Sequence, residues 1–311
     1  MEHTTEIEEA RAATATTLRP TVPAMEAMLH LQHPVLDHGF VRVVDYMGDD
    51  GAVVQAARVS YGRGTRRTSE DRGLIRYLMR HWHSTPFEMC ELKLHVKLPI
   101  FVARQWIRHR TANVNEYSGR YSVLDREFYV PAPQHLATQS TTNKQGRDEA
   151  LPPEQAQAII DLLRDDAERS YDHYLWLLNE DEKGMASDPA RSGLSRELAR
   201  IGLGVNTYTQ WYWKVDLHNL MHFLRLRADP HAQYEIRAYA EVILNILAQW
   251  VPLTHEAFLE YRLDAVSLSA TAADLIRRAL TGEPIDFEAS RLPRREWDEL
   301  QAAFGPLVRP S

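Results

Sequence analysis

Glu88-Met89-Cys90-Glu91-Leu92-Lys93-Leu94-His95-Val96-Lys97-Leu98-Pro99-Ile100-Phe101-Val102-Ala103-Arg104-Gln105-Trp106-Ile107 is the stretch from which the fold is read. Cys90, Leu92, Leu94, Val96 and Leu98 are apolar, and Glu91, Lys93, His95 and Lys97 stand between them. Side chains along a strand point to opposite faces in turn, so this alternation predicts a half-buried strand from Glu88 to Leu98. Pro99 suits the first position of a helix, where its missing N–H is not needed, and the helix runs to about Ile107.

Outward from this pair, both kinds of element recur. Towards the N-terminus, the valine-rich run Phe40–Tyr46 predicts a short strand. Asp50–Val59 predicts a helix, and Ser69 is a suitable N-cap for another from Glu70 to His81. Residues 1–35, rich in Thr, Ala and Glu and broken by Pro20 and Pro23, read as a weakly ordered extension. Towards the C-terminus, the polar segment 133–153 has prolines at each end and reads as a surface loop. Ala156, Ile159, Leu163, Ala167, Tyr171, Tyr174 and Leu178 then recur at spacings of three and four, the stripe of a long amphipathic helix. Further helices are expected over Asp188–Arg200, Val215–Leu226 and Glu235–Trp250. An amphipathic stretch near Ala273–Leu280 precedes a tail containing Pro and Arg. The fold class expected is α+β: a small, mostly antiparallel sheet with a large helical portion.

Composition narrows the function. The chain has 311 residues, 44% of them apolar and 25% charged, with a net charge of −7. These are ordinary values for a soluble globular protein and do not fit a basic nucleic-acid coat, so no nucleic-acid partner is expected. Cys90 is the only cysteine, which excludes an intrachain disulfide and a cysteine zinc cage. Glu2, Glu6, Glu8 and Glu9 match neither a secretory signal nor a basic transit peptide. No apolar run approaches the roughly 20 residues that cross a bilayer. The expectation is a soluble, cytoplasmic protein without a membrane partner.

Against that acidic background, Arg104 to Tyr121 carries four arginines and one acid. Arginine offers a planar fork of donors that matches phosphate oxygens in pairs. Asn113, Asn115, Glu116, Tyr117 and Ser118 add donors and acceptors able to read a polar heterocycle. A solvated basic loop is the alternative, and composition leaves the two readings even.

Arg108-His109-Arg110, seven residues, then Ser118 resembles the RHR-x7-S signature of the flavin-dependent thymidylate synthases. Ala57-Arg58-Val59-Ser60, His83-Ser84-Thr85-Pro86-Phe87-Glu88, Pro99 to Gln105, Leu226-Arg227-Ala228-Asp229 and His231-Ala232-Gln233 are similar to the same family in the same order. The likeness spans residues 36 to about 263, with gaps around 133–152. It marks off an extension at 1–35, an enzyme domain at 36–263 and a second extension at 264–311. Asn113 stands where many relatives carry serine.

The resemblance implies reductive methylation of deoxyuridylate (dUMP) to thymidylate (dTMP). The carbon donor is 5,10-methylenetetrahydrofolate, which leaves as tetrahydrofolate. NADPH is the reductant and FAD the redox carrier, in a homotetramer with active sites shared between subunits. No Gly-x-Gly-x-x-Gly fingerprint is present, so the FAD site is not expected to be of the Rossmann kind. By resemblance, Gln105, Arg108, Glu116, Ser118, Gly119, Arg120, Arg200 and Arg227 contact dUMP. Thr85, Arg108, His109, Arg110, Glu116, Asp216, His218 and His222 contact FAD, and His83 positions the flavin or the folate. Arg227 is the expected catalytic residue: a fixed cation beside the pyrimidine favours negative charge at N3 and O2 and makes C5 more nucleophilic.

Residue by residue, plainer readings stand beside these. Gln105 and Arg108, at i and i+3 on a helix, share a face and can both approach one ligand from the helix end. Gly119 alone would be a turn glycine, and Arg227 alone a partner for Asp229 or Glu235. His218 and His222, at i and i+4 with Asp216 nearby, could face a metal, but no third ligand is apparent and no metal is expected. Cys90 lies on the apolar face of its strand and reads as a structural thiol. Ser118 is assigned to substrate binding, with covalent attack a minority alternative that would need Glu116 as base. Two rival readings are a binding protein that kept the pocket but lost turnover, and a zinc hydrolase built on His218 and His222.

Overall fold

The alternating strand forms where the pattern places its apolar side chains, but it starts later. In the computed structural model, which describes residues 2–59, 71–140 and 146–305, Phe87–Met89 is a 3-10 turn and the strand is Glu91–Pro99. Among the described residues, seven strands form two antiparallel sheets. They are β1 (Gln32–Val35), β2 (Gly39–Met47), β3 (Glu91–Pro99), β4 (Asn113–Glu116), β5 (Ala137–Gln139), β6 (Arg147–Ala150) and β7 (Tyr208–Asp216). The larger sheet has the order β1-β2-β3-β7-β4, and β5 pairs with β6 alone.

The helices up to Phe258 are α1 (Glu2–Ala12), α2 (Pro23–Met28), α3 (Asp50–Val59), α4 (Asp71–Arg80), α5 (Ile100–Trp106), α6 (Pro153–Leu178), α7 (Arg196–Ala199), α8 (Leu217–Arg227), α9 (Tyr234–Trp250) and α10 (Pro252–Phe258). The fold is therefore α+β, as the pattern predicts. No helix among the described residues is long and apolar enough to cross a membrane.

One face of the large sheet makes the core. Val41 and Val43 of β2, Leu92, Leu94, Val96 and Leu98 of β3, and Trp211, Trp213 and Val215 of β7 are all buried. α5, α8 and α9 supply Trp106, Phe223, Leu224, Tyr239 and Ile243, also buried. Trp106 stacks on Phe223 at 4.6 Å and meets the edge of Trp213 at 5.2 Å. Each large apolar side chain so buried stabilises the fold by about 1.5–3 kcal/mol. The other face is polar: Arg42 Nη2 lies 2.7 Å from His95 Nδ1, and His95 Nε2 lies 2.9 Å from Gln210 Oε1.

The structure departs from the expectations in several places. Residues 1–35, expected to be weakly ordered, hold α1, α2 and the edge strand β1. Pro23 starts α2, which buries Met25 and Met28 three residues apart, and Arg11 Nη1 donates to Leu29 O at 2.6 Å. The expected loop at 133–153 contains the β5–β6 hairpin. Arg147 Nη2 fastens it by reaching both carboxylate oxygens of the buried Glu235 at 2.7 Å. The helix expected over Asp188–Arg200 shrinks to α7. Asn179, left-handed at φ 57°, takes Asp188 O and Arg191 O with its amide and holds the chain in turns. Gly193 passes so close that a Cβ would lie 1.8 Å from Leu178 O.

The helix expected from Val215 begins at Leu217, because Val215 and Asp216 finish β7. Asp216 caps α8 by accepting from Asn219 N at 2.9 Å. The N-cap assigned to Ser69, the last residue of the Ala57–Ser60 block and part of the 133–153 segment (141–145) lie outside the described residues.

Leu259–Ser311 separates as a second compact unit, five residues before the boundary expected at 264. Its π-helical turn Leu259–Leu263 and helices α11 (Ala270–Leu280), α12 (Phe287–Ser290) and α13 (Arg294–Phe304) show that the expected tail is largely helical. Ala272, Leu275, Ile285, Leu292 and Leu300 form its core, with Trp297 against them.

Candidate active site

β3 runs straight into α5, so the arginine motif leaves the end of that helix at a fixed place. α5 stops at Trp106, with Ile107 as its C-cap. Arg108 therefore lies in the turn beyond the helix, not on a helical face shared with Gln105. The chain then turns back and pairs Asn113–Glu116 with Trp211–Lys214 of β7, so the expected loop is in part an edge strand. This pairing sets Arg108, His109 and Arg110 over the end of β7, where α8 begins.

The result is a cavity of about 500 Å³, within the range of small-molecule sites. Arg108, His109, Arg110 and Thr111 form one wall; Asn219, His222, Leu226 and Arg227 form the other; Trp213 and Val215 are the apolar floor. Arg227 Nε donates to His109 Nε2 at 3.0 Å, a bond only an unprotonated ring nitrogen can accept. Burial, then the charge of Arg227, then His222 push the His109 pKa down to about 4. Arg227 is itself shifted down, by burial and by the like charge of Arg108. His109 and His222 rings lie 5.9 Å apart. The arrangement is a positively charged mouth over a flat aromatic and aliphatic floor.

Asp216 lines an adjoining cleft with Thr111, Asn113 and Lys214, but its carboxylate is committed to Asn219, whose side-chain amide donates to it at 2.8 Å. A third group gathers around Glu197. Arg120 Nη2 lies 3.4 Å from Glu197 Oε2, and Arg200 Nε donates to Glu197 O at 3.4 Å. Ser118 Oγ accepts from Arg120 N at 3.3 Å. Gly119 is buried, and a Cβ there would meet Leu124 carbons at 3.3 Å. Glu116 takes the Thr209 hydroxyl at 2.8 Å.

Of the residues singled out in the sequence, Arg108, His109, Arg110, His222 and Arg227 share the cavity. Gln105, Thr85, Glu116, Ser118, Gly119, Arg120, Arg200 and His218 do not line it. Among the described residues, no group of three or more His, Cys, Asp or Glu side chains could hold a metal. Cys90 is buried, and burial with Asp49 and Asp50 nearby raises its pKa to about 12. Trp213, Val215, Asn219 and Leu226 also line the cavity and were not among the site residues expected from the sequence. The alternation of Trp211, Trp213 and Val215 was the available signal for the strand that carries two of them, and the Asp216-x-x-Asn219 spacing for the cap.

The Thy1 family, thymidylate synthase complementing protein, matches residues 42–253. The chain belongs to the flavin-dependent thymidylate synthase family. A flavin-dependent thymidylate synthase of Ruegeria pomeroyi is 62% identical over 98% of both chains, and one of Gluconobacter oxydans is 63% identical over 97% of both. Among solved structures, a UMP/dUMP methylase, PolB from Streptomyces cacaoi, bound with 5-Br UMP is similar at a TM-score of 0.63 and 34% identity. That match covers 74% of this chain and 98% of PolB. Both relatives therefore match this chain in sequence beyond the residues of the family match.

Proposed function

We propose that this protein is a flavin-dependent thymidylate synthase of the cytoplasm. It converts dUMP, 5,10-methylenetetrahydrofolate and NADPH to dTMP, tetrahydrofolate and NADP+, with FAD as cofactor. The observation that carries the reading is the meeting of Arg108, His109, Arg110 and Arg227 over Trp213 and Val215. FAD would bring a negatively charged pyrophosphate and a planar ring with an apolar dimethylbenzene end. Three guanidinium groups at the mouth and an aromatic floor fit that distribution. FAD, when bound, supplies the hydride chemistry that no side chain can perform.

The chain's own residues supply position and electrostatics. Neutral His109 holds Arg227 by its Nε–H and leaves the terminal nitrogens of the guanidinium to a ligand. A cation fixed in this way stabilises negative charge developing on a pyrimidine, most strongly where water is excluded. The Ser118–Gly119–Arg120 turn offers a hydroxyl, a backbone N–H and a guanidinium to the phosphate of dUMP, with Arg200 beside it. Thr85, Glu116, Asp216, His218 and His222 complete the FAD surroundings, and Gln105 that of dUMP. These residues are spread over several places in one chain. Leu198, Ile201 and Val205 around Arg200 are exposed, which suits a subunit contact bringing Arg200 to a neighbour's site in a homotetramer. The purified protein should be yellow and should release tritium from C5-labelled dUMP when given methylenetetrahydrofolate and NADPH. A colourless protein that takes up no flavin and releases no tritium contradicts the reading.

A further inference from the structure

α4 ends in a hydrogen-bond pattern that suits a residue without a side chain. His83 N donates to Leu78 O at 3.0 Å and Trp82 N to Met79 O at 3.3 Å, the paired bonds that close a helix through one left-handed residue. That residue is Trp82, at φ 62°. Glycine or asparagine is usual there, because a Cβ crowds the neighbouring carbonyl. Such strain persists where surrounding structure over-determines it, and it concentrates at functional positions. Trp82 is nonetheless 67% exposed, so much of its indole can be reached from solvent.

The surroundings point to a flat ligand. The Arg225 guanidinium lies over the indole, 6.0 Å from its centroid. Arg225 stands on α8 three residues after His222 and seven after His218, on one stripe of that helix. The exposed Tyr77 ring lies 4.3 Å from His81 and 6.0 Å from His83. An aromatic patch with a cation beside it thus adjoins the helix that walls the cavity.

We propose that Trp82 is the stacking platform for the planar heteroaromatic ring of an anionic cosubstrate, with Arg225 supplying the positive charge beside it. The inference rests on the thymidylate synthase reading. Two cosubstrates of that reaction join a flat ring to negative charge: the pterin with its glutamate carboxylates, and the nicotinamide dinucleotide with its phosphates. Stacking on either makes and breaks no bond.

The test compares the full-length protein with Trp82→Gly and Trp82→Phe. In Trp82→Gly the left-handed residue is unstrained, so the thermal midpoint holds or rises and flavin stays bound. KM for one cosubstrate rises roughly tenfold, with a smaller change in kcat, and Trp82→Phe restores most of the loss. A rise for methylenetetrahydrofolate assigns the platform to the pterin, and a rise for NADPH assigns it to the dinucleotide. Unchanged KM for both overturns the proposal. So does a lowered midpoint, or a smaller species on size exclusion, without any change in KM. Quenching of tryptophan fluorescence by NADP+ and by 5-formyltetrahydrofolate reads the platform without turnover. Quenching lost in Trp82→Gly while the wild type releases no tritium keeps the platform and removes the assigned function. Quenching equal in both proteins removes the platform, whatever the turnover.

Discussion

The His109–Arg227 bond ties the state of the cavity to pH, and His109→Gln tests it. Below pH 6.5 the unfolded chain takes a proton at residue 109 that the folded protein refuses until about pH 4. Stability from this group is therefore complete above pH 6.5 and is lost as pH falls to about 4. At full strength a displacement of that size corresponds to about 3 kcal/mol. His109 is only half-buried, and screening by water reduces this to about 1–2 kcal/mol. Roughly 1 kcal/mol of that falls between pH 7.5 and pH 5.

Glutamine does not titrate, yet its carbonyl oxygen can still accept from Arg227 Nε, so the bond survives while its pH dependence goes. Urea denaturation of flavin-stripped wild type and variant at both pH values gives the comparison. His30, His33, His135 and His255 are also shifted down by burial, so both proteins lose stability in acid. The wild type should lose more, by about 1 kcal/mol. Parallel losses would refute the reasoning, because residue 109 would then be as easily protonated in the fold as out of it.

Arg227→Ala should retain FAD, visible in its absorbance, and lower kcat on the order of 10²–10³-fold; near-normal tritium release would contradict its catalytic assignment. Arg196 Nη1 donates to Tyr121 O at 2.5 Å while Nη2 holds Glu180 at 2.7 Å. Arg196→Ala should therefore loosen the Ser118–Tyr121 turn and raise KM for dUMP about tenfold, the size of one charge-assisted bond; steady-state kinetics with varied dUMP decides it. Glu235→Ala strands the Arg147 guanidinium and removes the carboxylate that accepts Tyr129 OH at 3.1 Å. Because Arg147 is part-exposed and water can take up its charge, the substitution should cost about 1–3 kcal/mol in urea unfolding, and an unchanged stability would show that the pair is loosely held.

Legibility in the sequence followed how local each signal was. β3 and α9 carry their own periodicity, and Asp50–Val59 was placed to the residue. β7 was missed although Trp211, Trp213 and Val215 alternate, because the helix-like run after Asp216 drew the expected helix start back to Val215. α7 was overestimated because what breaks it is not local: Asn179 reaches across to Asp188 and Arg191. The same division applies to the site. The arginine motif stood out by charge, and Arg227 only by the family resemblance. Trp213 and Asn219 are ordinary core and cap residues until β4 folds back onto β7 and puts a wall opposite them.

That fold-back also sets like charges against one another in the arginine patch. Arg108 and Arg227 face one cavity, and each disfavours the other's charge; burial then takes away the water that would screen them. Among the described residues Arg227 does not pair with Asp229 or Glu235, the partners it would have in a purely structural role: Asp229 holds His231 at 3.0 Å and Glu235 holds Arg147. The Arg227 hydrogen bond instead goes to an uncharged imidazole, which orients the guanidinium without neutralising it. Unneutralised charge in a part-buried cavity lowers the stability of the empty protein and strengthens its hold on an anion. Stability should thus rise with the logarithm of anionic ligand concentration above its dissociation constant. Arginines that served the fold would already have carboxylate partners and would leave little for a ligand to gain.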